Sequence, residues 1–170
     1  MMRVGLHGFG RVGRALIRHG IEISADVKVI FIRNSRHQWV SEEGFQKEEL
    51  QSILDGDHGG EVYGEDLSSL LKRVPVDYLF ELTPTDLSQV SETHQRIMEV
   101  LAAGISVIFA NKGPVLRDYG ALRAKADEMG VGLGLSAVMG ASLPSYALMH
   151  YGAMGSKVLE IKGILNGTET

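Results

Sequence analysis

Residues 5–16 read GLHGFGRVGRAL, and this stretch decides the fold. Gly8, Gly10 and Gly13 stand between a short apolar run and a stretch whose apolar residues recur at helical spacing. Glycines placed in this way between a strand and a helix are typical of a turn that holds the pyrophosphate of a dinucleotide. Gly8 would permit the tight turn, Gly10 would let the phosphates approach the backbone, and Gly13 would let the helix pack closely on the strand. A tight turn that binds nothing is the alternative.

Strand-like and helical runs alternate along the rest of the chain. Strand patterns fall at residues 3–7, 27–32, 76–82, 106–110, 131–137 and 157–165, and helical patterns at 11–23, 91–104, 116–130 and 143–154. Residues 33–65 are polar and carry one helical pattern, at 48–54. This alternation predicts an α/β fold of the Rossmann type, a doubly wound parallel sheet with helices on both faces.

Composition excludes several classes of function. The chain has 170 residues, a net charge of -4 and no cysteine, so disulfides, thiolate metal sites and cysteine nucleophiles are ruled out. No basic stripe indicates a nucleic-acid partner, and no apolar run approaches the roughly 20 residues of a membrane span. The N-terminus lacks the pattern of a signal peptide. The absence of cysteine fits a cytoplasmic protein, and the histidines show no metal-ligand spacing.

The end of the second strand indicates which dinucleotide would bind. Units that bind NAD usually place an acidic residue about 20 residues after the glycines, where it bonds the ribose 2′-hydroxyl. Here residues 33–37 read RNSRH, without an acid. Arg33 and Arg36 could pair with a 2′-phosphate, and Ser35 could donate a hydrogen bond to it. We therefore expect NADP(H) rather than NAD(H), with a solvated basic loop as the alternative.

A carboxylate lies near the end of the third strand pattern. Glu81 follows a run of buried type and precedes Leu82 and Thr83. An acid at the carboxyl end of a parallel strand can serve a ligand site, because ligands bind at that edge of the sheet. It can equally be a satisfied, half-buried acid, and the sequence leaves both interpretations open.

Four later stretches carry a family resemblance. They are ELTPTD at 81–86, AAGISVIFANKGPV at 102–115, SAVMGASLPS at 136–145 and IKGILNGTET at 161–170. Together with the glycine turn and the NSR after the second strand, their order and spacing resemble those of homoserine dehydrogenase over essentially the whole chain. The chain departs from that family at Ser136 and Ser142, where the family usually has Glu and Gly, and in the closing NGTET.

The resemblance implies an activity and a set of site residues. It implies NAD(P)-dependent interconversion of L-aspartate 4-semialdehyde and L-homoserine, in threonine and methionine synthesis. Lys112 would be catalytic, and Na+ or K+ would bind main-chain carbonyls around Met139, Gly140 and Ala141. Cofactor contacts are expected from Gly8, Phe9, Gly10, Arg11, Val12, Gly13, Arg33, Asn34, Ser35, Arg36, Thr83, Pro84, Thr85 and Asn111. Substrate contacts are expected from Lys112, Asn166, Gly167 and Thr168.

The resemblance also implies two domains. Residues 1–135 would bind the cofactor, and residues 136–170 would begin a second α/β domain for substrate binding and dimerisation, in a full-length homodimer. The strand predicted at 157–165 has no partner after it, so it must pair with another chain, rejoin the first sheet or have lost its partners. We expect an incomplete protein that is inactive or weakly active alone on its small-molecule substrate. The alternatives are a non-catalytic NADP-binding module or subunit, and another amino-acid or semialdehyde dehydrogenase.

Overall fold

The computed structural model describes residues 1–20, 26–62, 64–140 and 143–162. The strands in these ranges are β1 (Met2–His7), β2 (Val27–Arg33), β3 (His37–Val40), β4 (Glu61–Val62), β5 (Tyr78–Glu81), β6 (Ser106–Phe109) and β7 (Leu133–Gly134). The α-helices are α1 (Arg11–Ala15), α2 (Lys47–Asp55), α3 (Leu67–Arg73), α4 (Val90–Ala102), α5 (Gly113–Met129) and α6 (Ser145–Gly152). Contacts divide the chain into two compact units, Met1–Gly134 and Leu135–Thr170.

The strands of the first unit form a single sheet with the order β4-β3-β2-β1-β5-β6-β7. The pairs from β2 through to β7 are parallel, whereas β3 pairs antiparallel with both β2 and β4. The chain builds outward from β1 to one edge, returns beside β1 as β5, and builds outward to the other edge. Because parallel crossovers are right-handed, the helices of the two halves cover opposite faces. The predicted doubly wound α/β fold is confirmed, with an antiparallel extension at one edge.

The central strands are apolar on both faces, as expected for a parallel sheet covered by helices. On one face, Val4 and Leu6 of β1 belong to a buried cluster that includes Ile53 of α2. Side chains alternate along a strand, so Gly5 points to the other face. A Cβ on Gly5 would lie 2.2 Å from a ring carbon of Phe31. The glycine therefore makes room for a fully buried aromatic ring in the neighbouring strand.

Local capping decides where several helices begin. Gln46 and Glu49 form a capping box at the start of α2, and the Asp66 carboxylate caps α3. The long helix α5 is broken at Asp118, whose φ of -165° and ψ of 87° are not helical. Asp118 Oδ1 accepts the N–H of Ala121 at 2.9 Å, which restarts the helix as an N-cap does.

Three elements were not expected from the sequence. The strands β3 and β4 and the helix α3 lie in or directly after the polar stretch at 33–65, and each is short. Short elements carry too little periodicity to be recognised, and their stability comes from the sheet and helices around them. The helix expected at 11–23 is α-helical to Ala15 and continues as a π-helical turn at Leu16–Gly20. Residues 21–23 lie outside the described part.

The second unit contains α6, which begins after Pro144. The strand predicted at 157–165 is wrong for residues 157–162, which are in no strand. A strand needs a paired neighbour, and within the second unit no described residue provides one. Residues 163–165 are outside the described ranges. Among the helices of the described residues, none is long and apolar enough to cross a bilayer.

Candidate functional site

The carboxyl ends of β1, β2, β5 and β6 surround one open cleft of about 790 Å³. Open parallel sheets bind ligands at this edge, at the point where neighbouring strands connect in opposite directions. The neighbours β1 and β5 form that point, because β1 leads to β2 on one side and β5 leads to β6 on the other. The cleft is lined by His7, Gly8, Phe9, Gly10, Arg11, Val12, Asn34, Ser35, Leu82, Thr83, Pro84, Thr85, Asp86, Gln89, Thr93, Arg96 and Ala110.

Each glycine of the turn meets a different constraint. Gly8 has a φ of +112°, and a Cβ there would lie 2.4 Å from the carbonyl carbon of Leu82. A Cβ on Gly13 would lie 2.5 Å from the carbonyl oxygen of Gly8, so only a glycine lets the helix pack this closely on the turn. Gly10 precedes α1, and a Cβ there would meet nothing within 4 Å. Gly10 therefore leaves the backbone open toward the cleft, which is the arrangement that phosphate binding requires.

Buried aromatic contacts fix the turn to the body of the protein. Phe9 is buried, and its ring lies edge-on to Trp39 with 5.7 Å between the ring centroids. The Arg14 guanidinium lies 4.7 Å from the Phe9 ring centroid and also donates to a carbonyl at the end of α2. The side chains of Arg11 and Val12 are exposed at the cleft. Phe9 and Arg14 thus hold the turn in place, and Arg11 and Val12 stay accessible from the cleft.

The turn after β2 brings two of its four predicted residues into the cleft. Asn34 and Ser35 line it, and Asn34 Oδ1 accepts the N–H of Arg36 at 2.7 Å. Arg36 has an exposed side chain. Arg33 is buried, and its Nη2 donates to the backbone carbonyl of Glu65. Neither arginine is among the residues that line the cleft.

Glu65 ties the elements beside β2 together. Its Oε1 accepts hydrogen bonds from Gln38 Nε2 at 3.0 Å and from Arg73 Nη2 at 2.6 Å. These bonds, that of Arg73 first, hold the pKa of the Glu65 carboxyl below its usual value. The carboxylate therefore connects β3 with α3 next to the turn that follows β2.

Glu81, the last residue of β5, is fully buried. Its Oε2 accepts a bond from His7 Nδ1 at 2.9 Å, and its Oε1 accepts the backbone N–H of Thr83 at 3.2 Å and the Thr83 hydroxyl. Burial raises the pKa of the Glu81 carboxyl, but the bonds from His7 and Thr83 and the charge of nearby Arg96 outweigh it, so the pKa lies below its usual value. Glu81 is thus a buried ionised acid, fully buried rather than half-buried, beside the cleft.

Asn111 joins the loops that follow β5 and β6. It is buried, its Nδ2 donates to Thr83 Oγ1 at 2.9 Å, and its Oδ1 accepts the Thr85 hydroxyl at 3.1 Å and the Gly113 N–H at 2.9 Å. Thr85 Oγ1 in turn accepts the N–H of Lys112 at 3.1 Å. A side chain whose donors and acceptor are used inside the protein fixes the shape of the neighbouring loops. Asn111 therefore helps to set the shape of the cleft through the two loops that it joins.

The other predicted residues lie in varied settings. Lys112 follows β6 directly before α5, and its side chain is exposed. The carbonyl of Met139, a predicted cation ligand, accepts the hydroxyl of Ser145. Outside the described residues lie Ala141, Asn166, Gly167 and Thr168. Within the described ranges, no group of His, Asp and Glu side chains is arranged to hold a metal ion.

Part of the cleft wall was not expected from the sequence. Gln89, Thr93 and Arg96 line it from α4 and the residue before it, at intervals of four and three residues that place them on one face. Arg96 Nε is buried and has no acceptor among the described residues. These polar residues continue the buried face of α4 toward its N-terminus, where Ile97 and Val100 would otherwise be followed by apolar positions, and that change was an available signal. His7 was also missed, although it directly precedes the first glycine of the turn.

Comparisons with known proteins agree with this geometry. No protein-family model matches the chain. The homoserine dehydrogenase of Methanocaldococcus jannaschii is 28% identical, in an alignment covering 98% of this chain and 53% of that protein. The homoserine dehydrogenase of Pyrococcus horikoshii is 26% identical, covering 99% of this chain and 54% of that protein. The chain thus spans about half the length of the curated relatives it matches.

Solved structures give the same result. A hyperthermophilic archaeal homoserine dehydrogenase in complex with NADPH superposes with a TM-score of 0.73 and 25% identity, covering 87% of this chain and 47% of that chain. The homoserine dehydrogenase of Thermoplasma acidophilum has a TM-score of 0.74 at 16% identity, covering 89% of this chain and 48% of that one, which shows the fold alone. Along almost its whole length, the chain is similar to the N-terminal part of homoserine dehydrogenases.

Proposed function

We propose that this chain binds NADP(H) in the cleft and supplies the cofactor-binding half of an oxidoreductase like homoserine dehydrogenase. One observation carries the proposal: the glycine turn, Asn34 and Ser35 after β2, and Thr83 to Thr85 after β5 all line the same cleft. A dinucleotide laid across this edge has its pyrophosphate on the turn and one nucleoside on each side. The relative solved with NADPH bound superposes on 87% of this chain, which supports the same ligand.

The turn after β2 supports NADP(H) over NAD(H). It has no acid to repel a 2′-phosphate, exposed Arg36 can pair with one, and buried Arg33 adds positive charge to the same turn. Titration of the chain with NADPH and with NADH, followed by the fluorescence of the reduced nicotinamide, tests this preference. We expect tighter binding of NADPH, and clearly tighter binding of NADH would contradict the proposal.

In the proposed reaction, bound NADPH would supply the hydride that reduces the aldehyde carbon of L-aspartate 4-semialdehyde, and a proton would complete L-homoserine. This is a step of threonine and methionine synthesis. Lys112 is the proposed catalytic residue, because its ammonium can polarise the aldehyde oxygen and stabilise the negative charge that develops there. Its backbone bond to Thr85 holds it beside the loop after β5. Asn166, Gly167 and Thr168 would contact the substrate.

The remaining proposals concern ions and assembly. We assign Na+ or K+ binding to the carbonyls of Met139 and Ala141, and homodimer formation to the full-length protein. Residues 1–135 would form the cofactor domain and residues 136–170 the beginning of the substrate and dimerisation domain, in a cytoplasmic protein. Sedimentation of the full-length protein tests the dimer, and the dependence of its activity on added NaCl or KCl tests the ion.

A non-catalytic NADP-binding module is the second candidate, because Lys112, the proposed catalytic residue, is not among the residues that line the cleft. Incubation with NADP+ and L-homoserine, followed by NADPH absorbance, separates the two. We expect NADPH binding with turnover far below that of a full-length homoserine dehydrogenase, and turnover equal to it would contradict that expectation. A panel of other amino-acid semialdehydes tests whether another dehydrogenase activity uses the same cofactor domain.

A further inference from the structure

The Glu81 carboxylate has no role in the proposed hydride transfer, yet residues from several parts of the cleft bond to it. It accepts bonds from His7 of β1, from Thr83 in the loop after β5 and, at 3.4 Å, from Asn111 after β6. The charge of Arg96 in α4 acts on it as well. Three separate parts of the chain therefore bond one buried carboxylate, and the charge of a fourth acts on it. The amide oxygen of Asn111 in turn accepts the Thr85 hydroxyl, and Thr85 Oγ1 accepts the backbone N–H of Lys112.

The orientation of the His7 ring follows from this charge. An ionised carboxylate accepts hydrogen bonds and donates none, so the proton of the His7–Glu81 bond belongs to Nδ1. His7 itself lines the cleft, and Nε2 is the ring nitrogen left for another contact. A carboxylate that fixes the tautomer and the angle of an imidazole is a recurring arrangement where a histidine faces a ligand.

The position of Glu81 in the sheet indicates which half of a dinucleotide it serves. The carboxyl ends occur in the order β2, β1, β5, β6. The ribose that is read after the second strand belongs to the adenosine half, and the pyrophosphate lies on the turn after β1. The nicotinamide half of a bound dinucleotide would therefore lie over the ends of β5 and β6, where Thr83 and Thr85 are held by the Glu81 and Asn111 bonds.

The geometry points to Glu81 as a positioning residue: its buried carboxylate sets the orientation of His7, Thr83 and Asn111, and so shapes the half of the cleft that receives the nicotinamide nucleotide. This inference rests on the proposed binding of NADP(H). Glu81 acts through its neighbours and does not touch the ligand itself. Its removal should therefore weaken recognition of one half of the dinucleotide and leave the other half intact.

The test compares two ligands on the whole chain. NADPH contains both halves, whereas 2′,5′-ADP contains the adenosine half alone. For Glu81→Gln, which keeps the size of the side chain and removes its charge, we expect the Kd of NADPH to rise about tenfold or more, the loss typical of hydrogen bonds to a charged group. The Kd of 2′,5′-ADP should change less than about twofold. A merely structural defect would weaken both ligands together.

Two matched variants complete the experiment. Glu49→Gln removes one negative charge by the same chemical change at the capping box of α2, and we expect both Kd values to stay within about twofold of wild type. If Glu81→Gln does not fold, Thr83→Val and Thr83→Ser decide. Valine removes the hydroxyl that bonds Glu81 and accepts from Asn111, and serine retains it. Selective loss of NADPH affinity in the valine variant alone supports the inference.

Results that overturn the positioning role of Glu81 differ from results that overturn the proposed function. Unchanged NADPH affinity in Glu81→Gln, or equal loss for both ligands in a folded variant, overturns the positioning role and leaves the proposed function standing. Equal NADPH affinity of the two Thr83 variants has the same meaning. Failure of the wild-type chain to bind either ligand overturns the proposed function, and this inference with it.

Discussion

Gly8 and Gly10 belong to the same turn, but substitutions at the two positions should have different effects. Gly8→Ala places a Cβ against the backbone of Leu82 at a positive φ, so we expect the free energy of unfolding to fall by at least about 2 kcal/mol. Gly10→Ala places its Cβ in open space at the cleft. We expect it to leave stability within about 0.5 kcal/mol and to raise the Kd of NADPH roughly tenfold. Urea unfolding and NADPH titration of both variants check this contrast.

Glu81 should make stability depend on acid pH. Its pKa is lowered in the folded chain, so its contribution is complete above the unfolded-state pKa of a glutamate, about 4.3. That contribution is lost as the pH falls through the lowered folded-state pKa, because the unfolded chain then binds the proton more readily. Urea unfolding from about pH 6 downward should give a shallower loss of stability for Glu81→Gln than for wild type. Parallel pH profiles would contradict the assignment.

The glycine turn could be predicted from the sequence, whereas the hydrogen-bond network around Glu81 and Asn111 could not. The turn is local, so spacing within GLHGFGRVGRAL was enough to place it. The bond between His7 and Glu81 joins residues 74 positions apart, and no periodicity reports such a contact. The same holds for Asn111, whose bond to Thr83 spans 28 positions. Arg33 was expected at a ligand and is buried against the Glu65 carbonyl, a partner 32 positions away.

At the scale of elements, the break in α5 allows a prediction. Asp118 interrupts the helix and caps its second part through Ala121. Asp118→Ala should lower the free energy of unfolding by about 1 kcal/mol, the usual effect of losing an N-cap. Asp127→Ala removes an acid from the same helix, where it forms an exposed pair with Arg123, and should have no measurable effect. Equal stability of the two variants in urea would contradict the capping role.

Element length separates what the sequence could predict from what it could not. The apolar strands β1, β2, β5 and β6 and the helices α4 and α5 were predicted, because long or strongly apolar runs carry their own signal. The short antiparallel strand β3 was not, since it holds Gln38 and His37 among its residues and depends on β2 for its backbone partners. The stretch KVLEIK at 157–162 shows the reverse case, because strand-forming residues without a neighbouring strand do not make a strand.

At the scale of the whole molecule, ligand binding should appear as thermal stabilisation. A ligand that binds the folded chain at about 100 times its Kd adds about 2.7 kcal/mol, which corresponds to a rise in Tm of about 5–10 °C for a chain of this size. We expect NADPH to produce this shift in a dye-monitored thermal melt. Gly10→Ala should show a smaller shift at the same NADPH concentration. An unchanged Tm at saturating NADPH would contradict binding in the cleft.

The two edge strands of the sheet affect whether copies of this chain can associate through strand pairing. As described, β4 and β7 lie at its edges, and each is two residues long. Exposed strand edges recruit strands from other molecules through unpaired N–H and C=O groups, and short edge strands prevent this. In the part of the chain that the structure describes, the two edge strands therefore offer another molecule few backbone groups with which to continue the sheet. Concentrated solutions of this chain should resist strand-to-strand aggregation for that reason.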